Sequence, residues 1–249
     1  MPNTINYSTL DVIDNFPSYE RAGPLLRQII TEHSYKVVAD VGGGANPVLD
    51  HEFIVANKIQ YCLIDKSVAE LKKANAVFEK IHADVTASSE VFQEQIGERK
   101  FDLIFSHMLL EHLENPLRAH RNFYDALNPG GRCVHVYPSP NNLPLALNRF
   151  LPDAITTLLV RIAQPLRDME GSQRKFKAYY RMCGAPNPLL SAKFEAIGYT
   201  VHRHTGYIGH PYYERFKPAA ALEKQLRKVL HRFQVPLITG CLLVLKKPL

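Results

Sequence analysis

Residues 38–47 read VADVGGGANP: small and β-branched apolar residues, an acid at Asp40, three glycines in a row, then Asn-Pro. The first half has the composition of a strand covered on both faces, because no polar residue interrupts the apolar run until its end. The glycines allow a sharp turn and a close approach of backbone to a ligand, and a helix starting just beyond would offer unpaired N–H groups to an anionic group. A tight strand-to-helix turn with no ligand is the plainer reading. The surroundings of the stretch decide between the two.

Working outward, residues 36–41, 60–65, 101–106 and 132–137 are short apolar runs that read as buried strands. Helix signals fall between them. Ser67 and Glu70 are spaced as a capping box, and Asn115-Pro116 supplies an N-cap followed by proline at the first helical position. The helix opened there stops at Asn128-Pro129-Gly130-Gly131. Strand and helix alternate, which predicts an α/β fold with a doubly wound parallel sheet. After Pro138 the alternation breaks, and residues 139–190 read as a helical lid inserted after the fifth strand, with Asp153 capping a helix that carries Ile155, Leu158, Leu159 and Ile162 on one face. It resumes with a helix near 189–196, a strand near 199–205, a helix near 219–233 and a last strand at 237–247.

Length fits one domain over 1–249: an N-terminal helical cap at 1–34, a core at 35–138, the lid at 139–190 and the rest of the sheet at 191–249. Charge divides unevenly. Residues 1–125 hold 12 Lys and Arg against 18 Asp and Glu, and residues 126–249 hold 18 against 6, so the second half is suited to face something acidic. The four cysteines are at least 50 residues apart with no CxxC, which fits scattered thiols in a reducing cytoplasm. No apolar run is long enough to span a membrane, and the opening residues lack the pattern of a signal peptide.

Two more acids stand where strands end. Asp65 lies 25 residues after Asp40, about where a doubly wound sheet keeps its ribose-binding acid, and Asp84 follows the third strand in IHADV. Taken together and in order, DVGGGANP, LID, HADV, FDLIFSHMLLEHL and ALNPGGR resemble the class I S-adenosylmethionine-dependent methyltransferases over residues 35–138. The resemblance implies a Rossmann-like seven-stranded sheet whose last strand inserts antiparallel, and S-adenosyl-L-methionine as cofactor. It implies that Gly42 and Gly44 turn beside the methionyl part, that Asp40 helps to bind the amino group, that Asp65 takes the ribose hydroxyls, and that Asp84 with the backbone of Val85 meets the adenine. Asn46 replaces the family's frequent third glycine and is kept as a contact. A nicotinamide-dependent oxidoreductase is the competing reading, but its fingerprint wants glycine where Pro47 stands. A catalytically silent member of the same fold is the other alternative.

Methyl transfer from a sulfonium chiefly needs alignment, with a base only where the acceptor must lose a proton. The acceptor is expected beyond the fourth strand, beside His107 and Ser106, the latter joining the cofactor-binding set. His107 is the first candidate base, with a pocket-wall histidine as its alternative; His112 ranks second, and Tyr137 at the end of the fifth strand is the third candidate. His202, His204 and His210 lack carboxylates at a matching spacing, so no metal site is expected and strand-surface histidines are the reading. Lys175, Lys177, Tyr179, Tyr180 and Arg181 form either a solvated basic face or a grip on an anionic acceptor. The expected function is methyl transfer to a small-molecule, sugar- or lipid-linked acceptor at oxygen. The 153–163 helix is expected to pack on the sheet, with peripheral contact with an anionic membrane as the alternative, whereas no nucleic-acid-binding module is recognisable.

Overall fold

The computed structural model describes residues 10–11, 19–140, 177–208, 217–233 and 237–249. In chain order they form β1 (Leu10–Asp11), α1 (Tyr19–His33), β2 (Val37–Val41), α2 (His51–Ala56), β3 (Gln60–Asp65), α3 (Val68–Lys73), β4 (Glu79–His82) and α4 (Ser89–Gln95). The second half supplies β5 (Phe101–His107), α5 (Pro116–Ala126), β6 (Leu127–Pro138), α6 (Pro188–Glu195), β7 (Thr200–Tyr207), α7 (Lys217–Arg232) and β8 (Gly240–Lys246). Of the expected lid at 139–190, residues 141–176 lie outside the described residues, and so does the 153–163 helix.

All strands join one sheet in the order β1-β7-β8-β6-β5-β2-β3-β4. From β4 across to β6 every pair is parallel. β8 then inserts antiparallel between β6 and β7, the arrangement that the resemblance implied. The two-residue strand β1 adds a parallel edge beside β7, which the sequence reading did not anticipate because so short a segment carries no period. Among the described residues no helix is long and apolar enough to cross a membrane.

Burial explains why these segments are strands. Val38, Ala39, Leu63, Leu103, Phe105, Cys133, Val134 and Leu243 are fully covered or nearly so, as a sheet sandwiched between helices requires. One face packs Phe92 of α4, Ala119 and Phe123 of α5 and Phe194 of α6; the other packs Ala22, Leu26 and Ile30 of α1 and Leu71 of α3. Local signals place the helices. Asn115 caps α5 by accepting from the Arg118 N–H, and Pro116 starts it. Ser67 caps α3 by accepting from the Glu70 N–H, but the reciprocal half of the capping box is absent: Glu70 pairs with Lys73 at 2.6 Å, and Asp65 takes the Ser67 N–H at 2.8 Å.

Three further departures have plain causes. The helix expected straight after the glycines starts only at His51, since Asn46 precedes a proline and is held away from the helical region. β6 runs longer than predicted because Leu127 already pairs with Phe101; the pairing is irregular before Arg132, where Gly130 turns at φ +78° and its N–H donates to the carbonyls of Lys247 and Pro248. A β-bulge between Val201 and Arg203 breaks the alternation in β7, so His202 is exposed and His204 is buried instead of both lying on the strand surface. His210 lies outside the described residues.

Candidate active site

The strand order reverses between β2 and β5, and in a doubly wound sheet the crevice beyond the carboxyl ends of such a pair is where ligands bind. Here two loops meet across it. Gly42 and Gly44 have φ of +78° and +28°, the left-handed region that a side chain strains to adopt. A Cβ on Gly42 would lie 2.9 Å from the Leu109 side chain, so the glycine loop and the loop after β5 touch with no room between them. Met108 reaches φ +53° to turn Leu109 over that loop, and a residue without glycine's freedom held there marks a site of stored strain.

Asp40 lies beneath the loop. Its Oδ2 accepts from the Tyr61 hydroxyl and from the Val48 N–H at 3.0 Å, while Oδ1 is buried without a hydrogen-bond partner among the described residues. Burial outweighs these hydrogen bonds and pushes the acid up to about 6. A Cβ on Gly43 would stand 2.7 Å from Oδ1, which shows how closely the loop lies on the carboxylate. Asp65 abuts the other side: a Cβ on Gly44 would be 2.9 Å from its Oδ2. Burial raises the Asp65 acid, and the Ser67 N–H offsets part of that by stabilising the charged form.

Asp84 is half-buried and accepts from the Thr86 N–H at 2.8 Å and hydroxyl at 2.7 Å. The loop it starts is pinned from the opposite element. Asn122 of α5, fully buried, donates to the carbonyls of Val85 at 2.9 Å and Ala87 at 3.0 Å. Sequence reasoning missed Asn122, although an amide on the apolar side of an amphipathic helix is the available signal. Asn46 is exposed, its N–H closing a turn on the Gly43 carbonyl.

Asp40, Gly42, Gly44, Asn46, Asp65, Asp84 and Val85 therefore stand along one sheet edge, with His107 half-buried at the end of β5. Ser106 and Tyr137 are not brought to its surface. Ser106 is fully buried with its hydroxyl 2.7 Å from His135 Nδ1, and the buried Tyr137 hydroxyl donates to the Gly184 carbonyl at 3.1 Å and lies 2.9 Å from His204 Nε2. A hydroxyl engaged inside the sheet has no geometry left for a ligand above it.

Beyond β5 a 3-10 turn at Leu110–His112 carries a second group. Residues 177–181 strap across it: the Tyr179 and Tyr180 N–H groups donate to the Glu111 carbonyl at 2.7 and 3.1 Å, and Arg181 donates to the Glu114 carbonyl at 2.8 Å. His112 Nδ1 is 2.9 Å from the Lys177 carbonyl. A carbonyl only accepts, so Nδ1 carries the proton and Nε2 is the basic nitrogen. The Glu111 side chain, missed by the sequence reading, is buried with Oε1 at 3.7 Å from His112 Nε2, and burial pushes its acid up to about 8. On the strap, Lys177 Nζ and Arg181 Cζ lie 4.8 and 5.7 Å from the Tyr179 ring centroid. Neither cation is in an ion pair among the described residues.

Residues 39–133 match the family described as a methyltransferase domain, a span that takes in the glycine loop, Asp65, Asp84, His107 and His112. No curated protein matches the sequence. Among solved structures, an S-adenosylmethionine-dependent methyltransferase from Mesorhizobium loti is similar at 16% identity and a TM-score of 0.53, with 92% of this chain and 98% of that chain covered. One from Archaeoglobus fulgidus is 13% identical with a TM-score of 0.53 and coverage of 92% and 96%. The [4+2]-cyclase SpnF is 15% identical with a TM-score of 0.51, covering 100% of this chain and 88% of its own. At such identities the shared property is the fold.

Proposed function

We propose that this chain, a class I methyltransferase with S-adenosylmethionine as its cofactor, transfers the methyl group to oxygen on a small, anionic, sugar- or lipid-linked acceptor in the cytoplasm. The residues present suit the cofactor: the glycine cradle is one that added Cβ atoms would fill, and the buried Asp40 Oδ1 has an unmet hydrogen-bonding capacity. Gly42, Gly44 and Asn46 would hold its methionyl part, Asp65 its ribose, and Asp84 with Val85 its adenine, while Asp40 sets the loop from below. When bound, the cofactor supplies an electrophilic methyl group on a sulfonium, a good neutral leaving group.

The observation that carries the choice of oxygen is the fixed tautomer of His112. A hydroxyl must lose its proton as it is methylated, and an imidazole with Nε2 basic and a side chain 31% exposed can receive it. His107, at the same strand end, is the second candidate for that role. The anionic character rests on Lys177 and Arg181, which the strap sets beside the same turn and which are in no ion pair among the described residues. Contact with an anionic membrane would be the route to a lipid-linked acceptor.

Calorimetry with S-adenosylhomocysteine and with NAD tests the cofactor, and transfer of labelled methyl to pools of anionic and neutral hydroxyl compounds tests the acceptor. Binding of S-adenosylhomocysteine with no turnover on any pool would favour a silent binding member of the fold. Turnover on amines alone would remove oxygen as the acceptor atom. Lys177→Ala with Arg181→Ala should raise the acceptor KM and leave cofactor affinity unchanged.

A further inference from the structure

We propose that one face of α7 docks on an anionic lipid membrane. Leu222, Leu226, Val229 and Phe233 recur at spacings of four, three and four, so they lie on one side of this 16-residue helix and its last turn. Among the described residues little covers them: Leu222 is 72% exposed, Leu226 37%, Val229 50% and Phe233 70%. The stripe runs about 17 Å along the helix, at about 1.5 Å per residue. Single exposed apolar residues are ordinary, but four in a row on one helix face ask for a partner.

Charge decides which partner. Lys224, Lys228 and Arg232, four residues apart and all exposed, form a column that starts on the face opposite the stripe and winds to its flank at Arg232, and none is in an ion pair among the described residues. The helix sequence holds five Lys and Arg against the one acid Glu223, within a half of the chain already strongly basic. Apolar side chains flanked by long cationic ones match the boundary between acyl chains and anionic headgroups, where the charged ends reach up to phosphate while their stems stay in the apolar layer. A second copy of the chain is a poor occupant, since two-fold pairing of this face would set basic columns near each other. At 16 residues the helix lies on the surface and does not span. The inference sharpens the membrane contact proposed above and rests on the function reading only where the acceptor is lipid-linked.

The test is flotation of the full chain with phosphatidylcholine vesicles with and without phosphatidylserine, at low and moderate salt. The expected result is binding to the anionic vesicles alone, weakened by salt. It should fall at least about tenfold in Leu222→Ser/Val229→Ser/Phe233→Ser and again in Lys224→Glu/Lys228→Glu/Arg232→Glu. Because these side chains are exposed, both variants should fold, and retained S-adenosylhomocysteine affinity by calorimetry checks that separately. No flotation of the wild-type chain, or flotation indifferent to both variants, overturns the proposal. Sedimentation velocity showing a wild-type dimer that the serine variant dissociates also overturns it, assigning the face to self-association. Loss of cofactor binding in the wild-type chain would strike the methyltransferase reading alone.

Discussion

Across β2, β3 and β4 the acids stand at the strand ends, whereas in β6 and β7 the polar side chains of His135, Tyr137 and His204 lie inside the faces of the sheet. Asp65 and Asp84 are half-buried carboxylates whose partners are loop N–H and hydroxyl groups, and Asp40 supports the glycine loop beside Asp65. His135, His204 and Tyr137 are buried and spend their hydrogen bonds on Ser106, on each other and on Gly184. Burial pushes His204 down to about 4 and His120, on the α5 face against the sheet, down to about 3, so both are neutral at physiological pH. One region therefore offers charge and open backbone to a ligand. The other uses similar residue types to fix strands and the 177–187 segment in place.

The comparison breaks most visibly at Gly44. Gly44→Val would force a side chain into the Asp65 carboxylate and the Glu70 Cβ at a φ suited to glycine, and cofactor affinity should fall by more than about a hundredfold. Calorimetry with S-adenosylhomocysteine on a variant of native circular dichroism measures it; near-normal affinity would mean that the cradle is only a turn.

Asp65→Ala comes next. A carboxylate accepting two hydroxyls contributes about 1.5–3 kcal/mol, so the same titration should weaken by roughly ten- to a hundredfold. Asp84→Ala should cost less, because its Oδ1 is already occupied by Thr86 and an adenine held there would also meet backbone and apolar groups.

In the other region the readout should switch from binding to stability. Tyr137→Phe leaves the Gly184 carbonyl and His204 Nε2 without their buried partner, a loss of about 1–3 kcal/mol in urea unfolding. Cofactor affinity should stay within about twofold, a shift under half a kcal/mol. If instead affinity or turnover collapsed while stability held, Tyr137 would belong to the site after all.

How much of this was legible follows the same division. The positions of the strand-end acids and of the glycines were readable because they depend on local sequence: an acid at the close of an apolar run, and glycine where φ turns positive. The order of strands and the antiparallel β8 came from the resemblance, since periodicity does not fix which strands pair. Asn122, Glu111 and the buried state of His204 were not legible, for they depend on what packs against them from distant segments. His204 shows it best: two-residue alternation put it beside His202, and a single bulge moved it into the core. Ser106 was read from its place at a strand end, but its neighbour across β6 is a histidine that takes the hydroxyl.

Glu111 tests where the boundary between the two regions falls, because it is buried like the histidines yet sits on the turn beyond β5 that the strap covers. Burial raises its folded-state acid to about 8, above its ordinary value, so the folded chain holds a proton that the unfolded chain releases at lower pH. Stability must then fall as pH rises through that window and level off above about 8; between pH 7 and 9 the loss from this one group is about 1 kcal/mol. Glu111→Gln keeps the shape and cannot ionise, and its unfolding free energy should be flatter by that amount over the same range. A variant with unchanged slope would show that Glu111 does not hold the proton. Turnover then places the residue: an unaltered pH profile of kcat assigns Glu111 to structure with the histidines, while a profile whose basic limb moves makes it a positioning residue for His112, whose Nε2 is 3.7 Å from its carboxyl.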